Sequence, residues 1–402
     1  MSTPPRSPRS IPSEGPPDAR RAAALLRKRI AGKRVLICAG PGGVGKTTVS
    51  AALGLAVARE GPRVLVLTID PARRLAGALG LAAGRGAPAG DPMLVEPRRL
   101  HAAGVRMRGE LWAMTLDVKR TFDELIAELA PDETAREELL ANRIYRELSS
   151  AAAGSQEVAA VAKLFELDRD RAFDVVVLDT PPSRDTLEFL QAPSRLASFL
   201  EGRAMDIVMV AGSPLRLAPR GVASRLLGGG TGLLFSLFAR ATGVELAGDL
   251  AVFFRLLSGL RDGLRERARA VERLLHDPAT SFLVVSSPEP EPAREARFLH
   301  ASLLDAALPY GALIVNRVHE GRIDDRELAE LHALLGRRLD PRLGARVLRS
   351  VSDYEVLVAR DAEVLARLAR ELGEECLVSV PELGGEVDDL IALTSVARRL
   401  LG

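Results

Sequence analysis

The residues whose types and spacing best indicate chemistry are those at positions 40–47, Gly-Pro-Gly-Gly-Val-Gly-Lys-Thr. They fit G-x-x-x-x-G-K-[ST], the phosphate-binding loop, or P-loop. In such a loop, backbone N–H groups surround phosphates at the positive end of a helix dipole. We expect Lys46 to contact the β- and γ-phosphates of a nucleotide and Thr47 to bind Mg²⁺ through its hydroxyl. The residues predicted to bind the nucleotide are Gly42, Gly43, Val44, Gly45, Lys46, Thr47 and Thr48.

The segments on both sides of this loop have the patterns that a P-loop requires. The apolar run at residues 35–39 predicts a buried strand, and the alanine-rich segment at residues 49–59 predicts a helix. The alternative interpretation is a glycine-rich turn that binds no ligand. The strand, turn and helix occur in the order expected of a P-loop, which argues against that alternative.

Two aspartates are predicted to follow buried strands. Asp70 comes after the apolar run 63–69, and Asp179 comes after the run 173–178. In an open parallel sheet, ligands bind beyond the carboxyl ends of the strands. Asp179 is placed to hold Mg²⁺ directly or through water, and Asp70 to orient the attacking water. The alternative for each aspartate is a carboxylate that caps the following turn or helix.

Continuous apolar strands that alternate with helices predict an α/β fold with a mostly parallel sheet flanked by helices. Further strands are expected at residues 110–116, 282–286 and 312–315, and a short apolar run lies at 376–380. Two helical tracts, mainly 118–170 and 187–275, are too long for simple crossovers. We expect them to form a helical subdomain inserted between strands and rising from one edge of the sheet. Helices are also predicted at residues 18–29, 291–307, 361–371 and 387–401.

Composition narrows the functional classes. Net charge is +2 over 402 residues, so no general affinity for nucleic acid or a membrane surface is expected. The only cysteines, Cys38 and Cys376, form neither a disulfide framework nor a zinc pair, which predicts a reducing cytoplasm. Residues 1–28 are interpreted as a disordered proline-rich tail and a lead-in helix, without a secretory signal. No apolar run is long enough to cross a bilayer.

Three motifs together resemble one known family. They are Gly42–Thr48, Thr68–Leu75 (Thr-Ile-Asp-Pro-Ala-Arg-Arg-Leu) and Asp179–Ser183 (Asp-Thr-Pro-Pro-Ser). The sequence resembles the arsenite-pump and tail-anchored-protein-targeting ATPases, within the deviant Walker A class of dimeric P-loop ATPases. It is most similar to the bacterial branch called anion-transporting ATPases. The resemblance runs from about Lys33 to the C-terminus, and it implies an ATPase domain over residues 29–402.

The resemblance implies ATP and Mg²⁺ as cofactors and a role for each matching residue. Asp70 matches the aspartate that polarises the hydrolytic water, and Asp179 matches the second switch aspartate. Asn316 matches the asparagine that reads the adenine edge, a role that an amide can fill because it both donates and accepts. Pro381 and Glu382 match the loop that lies over the base.

One position departs from the class. Its signature lysine, which reaches the phosphates of the partner protomer, is replaced here by Pro41. A cation supplied by a partner contributes on the order of 10³–10⁵ in rate in related chemistry. We therefore expect slow hydrolysis, another cation, or a partner subunit that supplies the lysine. Arg73 and Arg74 are candidate substitutes, and the alternative is a solvated charge pair at a helix start.

The resemblance also implies a homodimer, or a heterodimer with a paralogue. The Leu- and Phe-rich tract at residues 226–264 is interpreted either as a groove for a hydrophobic client or membrane-protein partner, or as an ordinary subdomain core or dimer interface. The absence of methionine from the tract weakens the client interpretation. Arsenite delivery is disfavoured because As(III) needs several convergent thiolates.

Two functions from different classes remain open. The first is a Mg²⁺-dependent ATPase whose hydrolysis changes the conformation of the dimer. The second is a nucleotide-gated chaperone or scaffold with little turnover, which the replacement of lysine by Pro41 favours. A DNA-partitioning ATPase is disfavoured because no basic surface stands out from the near-neutral charge.

Overall fold

A computed structural model describes residues 19–69, 74–79, 89–151, 155–180, 244–321, 323–372, 377–383 and 390–402. Eight strands form one sheet in the order β3-β4-β2-β5-β1-β6-β7-β8. Every neighbouring pair is parallel except β3 and β4. The strands are β1 (Val35–Ala39), β2 (Arg63–Thr68), β3 (Met93–Leu94), β4 (Glu110–Thr115), β5 (Val175–Asp179), β6 (Thr280–Ser286), β7 (Tyr310–Val318) and β8 (Leu377–Pro381).

The predicted mostly parallel sheet is confirmed, although several strand ends differ by one to three residues. The short antiparallel edge strand β3 was not predicted, because two residues carry no alternation pattern. Strand β7 begins two residues before the predicted run 312–315 and ends three residues after it, because its polar end pairs with β8. All five residues of the central strand β1 are buried, as expected for a strand covered on both faces.

Fourteen helices lie within the described ranges. The predicted helix 361–371 is the C-terminal part of a 32-residue helix, α13. The helices are α1 (Ala19–Ile30), α2 (Lys46–Ala58), α3 (Arg74–Ala78), α4 (Pro97–Ala102), α5 (Val118–Leu129), α6 (Glu133–Ala141), α7 (Arg143–Ala151), α8 (Ser155–Asp170), α9 (Val244–Gly259), α10 (Arg261–His276), α11 (Pro290–Asp305), α12 (Asp325–Arg338), α13 (Pro341–Leu372) and α14 (Leu390–Leu401).

Each face of the sheet is covered by its own apolar core. Alternate residues of β1 enter opposite cores, because successive side chains of a strand point to opposite faces. Leu36 joins the core beneath α1, α2 and α14, whereas Ile37 joins the core beneath α8, α10, α11 and α13. Burial on both sides fixes β1, and with it the starting point of the loop that follows.

The described helices of the two long helical tracts divide between the sheet and a separate apolar cluster. The last helices before the next strand, α8 and α10, pack against β5 and β6 respectively. Helices α5, α6, α7 and α9 and the start of α10 form the separate cluster, whose buried residues are Leu125, Ile126, Leu139, Tyr145, Phe253, Leu260 and Leu264. Within the described ranges, no helix is long and apolar enough to cross a bilayer.

Candidate nucleotide-binding site

The loop between β1 and α2 has a backbone that glycine alone adopts easily. Gly43 and Gly45 have φ angles of 80° and 87°, in the left-handed region. A Cβ atom on Gly40 would lie 2.0 Å from the main-chain oxygen of Val285 in β6. A Cβ on Gly45 would lie 2.3 Å from Nδ2 of Asn316, whereas one on Gly43 would meet open space. The glycine loop is therefore closely packed against β6 and Asn316 at Gly40 and Gly45, and it is open to solvent at Gly43.

Lys46 is the first residue of α2, and its side chain lies back over this loop. Its Nζ donates to the main-chain oxygens of Gly40, at 2.9 Å, and Pro41, at 2.7 Å. The residue is only 6% exposed. Burial lowers the pKa of the Lys46 ammonium, and the nearby Asp179 carboxylate opposes that shift. The Lys46 ammonium and the positive end of the helix dipole lie close together in a buried site. A polyanionic ligand such as a phosphate chain would stabilise both positive charges.

Asp179, at the end of β5, meets the threonine of the loop. Thr47 Oγ1 donates to Asp179 Oδ2 over 2.7 Å, and Thr68 Oγ1 from β2 donates to the same oxygen over 2.9 Å. Ser50 in α2 donates to Oδ1 over 3.4 Å. A carboxylate and a hydroxyl are hard oxygen ligands of the kind that Mg²⁺ binds, usually with several waters retained. The structure thus brings together the two predicted metal-binding residues from segments 132 positions apart.

Cys38 lies directly beneath this cluster. Burial raises the pKa of its thiol to about 12; a hydrogen bond with Ser50 acts in the opposite direction, and the Asp179 charge adds to the increase. The Cys38 main-chain oxygen accepts a hydrogen bond from Thr180 Oγ1 at 2.9 Å. The thiol is therefore a neutral packing group at physiological pH. Cys376, the other cysteine, lies outside the described residues.

Asn316, at the end of β7, is bound to the loop from the opposite side. Its Nδ2 donates to the main-chain oxygen of Val44 over 2.9 Å, and the residue is 6% exposed. The amide nitrogen therefore has a loop-holding role that the sequence did not predict. The sequence signal for it is a polar residue that follows the buried apolar run 312–315.

Pro381 and Glu382 lie at the end of β8, beside β7. The Glu382 N–H donates to the Val318 oxygen at 2.9 Å, and the Glu382 carboxylate lies 3.4 Å from Nε2 of His319. Nδ1 of His319 lies 2.7 Å from the carboxylate of Asp361, which is fully buried. Sequence reasoning missed both His319 and Asp361. Asp361 lies within the stripe of apolar residues of α13, and a charge in such a stripe is the only sequence signal for a buried carboxylate.

The remaining predicted residues make few described contacts or lie outside the described ranges. Asp70 and Arg73 lie outside the described residues, and Arg74 begins α3. Pro41 is buried, with its oxygen bonded to Lys46. In the part of the chain that the structure describes, no three His, Cys, Asp or Glu side chains cluster as a metal site.

A parallel sheet with a glycine loop between its central strand and a helix, and with a lysine, a threonine and an aspartate converging there, defines a P-loop nucleotide-binding protein. Residues 33–214 match the model of the family described as anion-transporting ATPase. The match supports the resemblance to the ArsA-like family that the three motifs predicted.

Similarity to individual proteins extends beyond the matched region. The chain is 28% identical to ATPase ARSA2 of Chlamydomonas reinhardtii over 282 residues, 69% of this chain and 66% of that protein. It is 29% identical to ATPase GET3 of Malassezia globosa over 167 residues, 41% and 44% of the two chains. An uncharacterized protein of Streptomyces coelicolor is 31% identical over 288 residues, 71% and 62%. The match spans less than two thirds of the length of each relative.

Proposed function

We propose that this chain binds Mg²⁺-ATP at the loop 40–48 and hydrolyses it. The observation that carries the proposal is the convergence at one sheet edge of a buried lysine and a hydroxyl–carboxylate pair. Lys46 begins α2, and Thr47 Oγ1 lies 2.7 Å from the carboxylate that ends β5. The names of the related proteins, which call them ATPases, point in the same direction.

Each residue has a defined part in this proposal. The N–H groups of residues 42–48 and the Lys46 ammonium bind the phosphate chain and offset its charge. Thr47 and Asp179 hold Mg²⁺, which when bound neutralises charge on the terminal phosphates. Asp70 orients the water for attack in line with the leaving group. The two oxygens that share the Thr47–Asp179 hydrogen bond are the ones that would hold the metal.

Recognition of the base falls to the β7–β8 side of the site. Since Asn316 donates its amide N–H to Val44, its Oδ1 is the atom assigned to accept from the adenine amino group. Pro381 and Glu382 lie on the neighbouring strand end and cover the base. The terminal phosphate points the other way, towards Asp179, because β5 lies on the opposite side of β1 from β7.

The assembly we propose is a dimer, either of this chain or with a paralogue, formed by residues 29–402 as one ATPase domain in a reducing cytoplasm. The replacement of lysine by Pro41 favours a second candidate function. In that alternative, nucleotide binding gates the conformation of a scaffold or chaperone, and turnover is slow unless a partner supplies a cation.

A hydrophobic client remains part of the proposal for the tract 226–264, whose residues 226–243 lie outside the described ranges. The described part supports a subdomain core more than a groove. Phe253 is 6% exposed, and Phe254, Leu256 and Leu257 pack against the same cluster. Among the described large apolar side chains of α9, Val252 is the one that is clearly exposed, at 37%. Client binding therefore needs residues beyond this cluster, or a conformational change.

The experiment measures ATP binding by calorimetry and phosphate release at steady state, with and without Mg²⁺. Wild type should bind ATP, and Lys46→Ala should reduce both binding and turnover by at least tenfold. Lys119→Ala, which removes an exposed lysine paired with Asp123, is the matched control and should change neither. ATP binding without turnover at any protein concentration would select the scaffold function. An absence of ATP binding would overturn both.

A further inference from the structure

Arg317 follows Asn316 at a break in the sheet. Val315 pairs with Ser379, and the next aligned pair is Val318 with Pro381. Two residues of β7, Asn316 and Arg317, therefore lie opposite a single residue of β8. This is the arrangement of a β-bulge, a feature that is common next to active sites and that redirects side chains. The bulge lies beside the P-loop, because the side chain of Asn316 is bonded to Val44.

The backbone of Arg317 is in an unfavourable region. Its φ angle is 61°, a left-handed value that glycine or asparagine adopts at lower cost than arginine. Strained positions of this kind cluster at ligand-binding sites, where the strain serves a side-chain position. An arginine at this point therefore calls for an explanation in terms of what its guanidinium contacts.

Several charged side chains that the structure describes near the ends of β7 and β8 have protein partners. His319 and Arg360 bind Asp361, and Arg399 binds Glu320. Arg317 is exposed, and within the described part of the chain no residue forms an ion pair or side-chain hydrogen bond with it. A cation without a protein partner, next to the loop that holds the nucleotide in our proposal, is available to a ligand.

The sheet order indicates which part of the ligand Arg317 would meet. Asp179 ends β5, on one side of β1, and Arg317 lies near the end of β7, two strands away on the other side. Neighbouring strands are about 4.8 Å apart, so the two sites are separated by roughly three strand spacings, or about 14 Å. With Mg²⁺ and the terminal phosphate at Asp179, the base end of a nucleotide falls near Arg317.

We propose that the guanidinium of Arg317 packs on the face of the nucleobase as a cation–π contact. The inference rests on the proposed nucleotide binding and adds a base-contacting residue to it. A planar guanidinium suits this role because it stacks on aromatic faces and is weakly hydrated. It also provides a physical reason for keeping arginine at a left-handed position.

Arg317→Gly tests the proposal, because glycine removes the guanidinium and adopts the same backbone without strain. ATP affinity, measured by calorimetry, should fall about two- to thirtyfold, the range expected for losing one cation–π contact. The affinity for inorganic tripolyphosphate, which has no base, should stay the same. Arg317→Asn, which also tolerates this backbone, should reproduce both results, and Arg317→Lys should retain part of the ATP affinity.

Arg171→Gly is the matched control. Arg171 is also an exposed arginine with a positive φ, 53°, but it follows α8 and precedes the amino end of β5, away from the P-loop. Its substitution should leave ATP affinity unchanged. If Arg317→Gly bound ATP like wild type, or lost tripolyphosphate affinity equally, the base contact would be refuted while nucleotide binding stood. If wild type bound no ATP, the proposed function would fail as well.

Discussion

Asn316 and Val44 are joined by a hydrogen bond from the side-chain Nδ2 to the main-chain oxygen, 2.9 Å long, although 272 positions separate them. The bond connects the end of β7 to the loop residue between the two left-handed glycines Gly43 and Gly45. The shape of the phosphate cradle therefore depends on a strand two places away in the sheet. Asn316, to which the family resemblance assigns a contact with the base, therefore also supports the loop.

The first prediction concerns this bond. Asn316→Asp replaces the donor with an oxygen that faces the Val44 carbonyl, so the loop loses its support and gains a repulsion. We expect a loss of about 1–3 kcal/mol in the free energy of unfolding and about tenfold weaker ATP binding. Urea unfolding and calorimetry measure the two effects.

Asn142→Asp is the control for that variant. Asn142 Nδ2 donates a similar hydrogen bond to the main-chain oxygen of Asp249 in the helical region. It should lower stability and leave ATP affinity unchanged. Equal ATP affinities for Asn316→Asp and wild type would show that the loop keeps its shape without the bond.

The second prediction concerns Gly45. A methyl group there would lie 2.3 Å from the Asn316 amide and would also force alanine into a left-handed backbone with φ near 87°. We expect Gly45→Ala to lose more than 2 kcal/mol of stability, of which roughly 1 kcal/mol is the backbone cost. Gly32→Ala has a similar φ of 73° with no atom within 4 Å, so it isolates the backbone term. Thermal unfolding measures the stability loss of both variants. Equal losses would show that the added methyl group at position 45 does not collide with Asn316.

The third prediction concerns the metal. Asp179→Asn keeps the size of the side chain but removes the charge that Mg²⁺ requires. The affinity for ATP should then be nearly the same with Mg²⁺ and with EDTA, whereas wild type should bind more tightly with Mg²⁺. Asp174→Asn, at the other end of the same strand, is the control and should retain the metal effect. A full Mg²⁺ effect in Asp179→Asn would remove Asp179 from the metal site.

The fourth prediction follows from the raised pKa of Cys38. The unfolded thiol ionises near pH 9, whereas the folded thiol ionises near pH 12. Between these values the unfolded chain releases a proton that the folded chain retains, so stability falls as pH rises. The contribution of this one group is on the order of 1.4 kcal/mol per pH unit.

Comparison with Cys38→Ala reports that contribution together with its coupling to Lys46, because groups away from this cluster titrate equally in both proteins. The stability advantage of wild type over the variant, from urea unfolding, should shrink from pH 9 to pH 11. In the folded protein at pH 8, peptide mapping should find Cys38 unmodified by iodoacetamide, and urea should expose it. Rapid labelling of folded Cys38 would show that the thiol is accessible.

Local patterns were sufficient for the loop and for the type of fold. Gly40–Thr47 predicted the P-loop because its geometry is fixed by the sequence of one short segment. The apolar runs predicted the sheet because a strand buried on both faces has a continuous apolar pattern. The long helix α13 was predicted only over residues 361–371, since its N-terminal half is largely exposed and lacks the burial that makes a pattern clear.

By itself, the sequence predicted the P-loop, the resemblance to one family and most of the strands, because each depends on residues that are neighbours in the chain. The tertiary structure alone decided which distant groups meet. It placed Thr47 against Asp179 and Asn316 against Val44, and it left Arg317 exposed at a bulge. The physical reason is that strand order in a parallel sheet is set by how helices pack on its faces, and that packing carries no short-range signature.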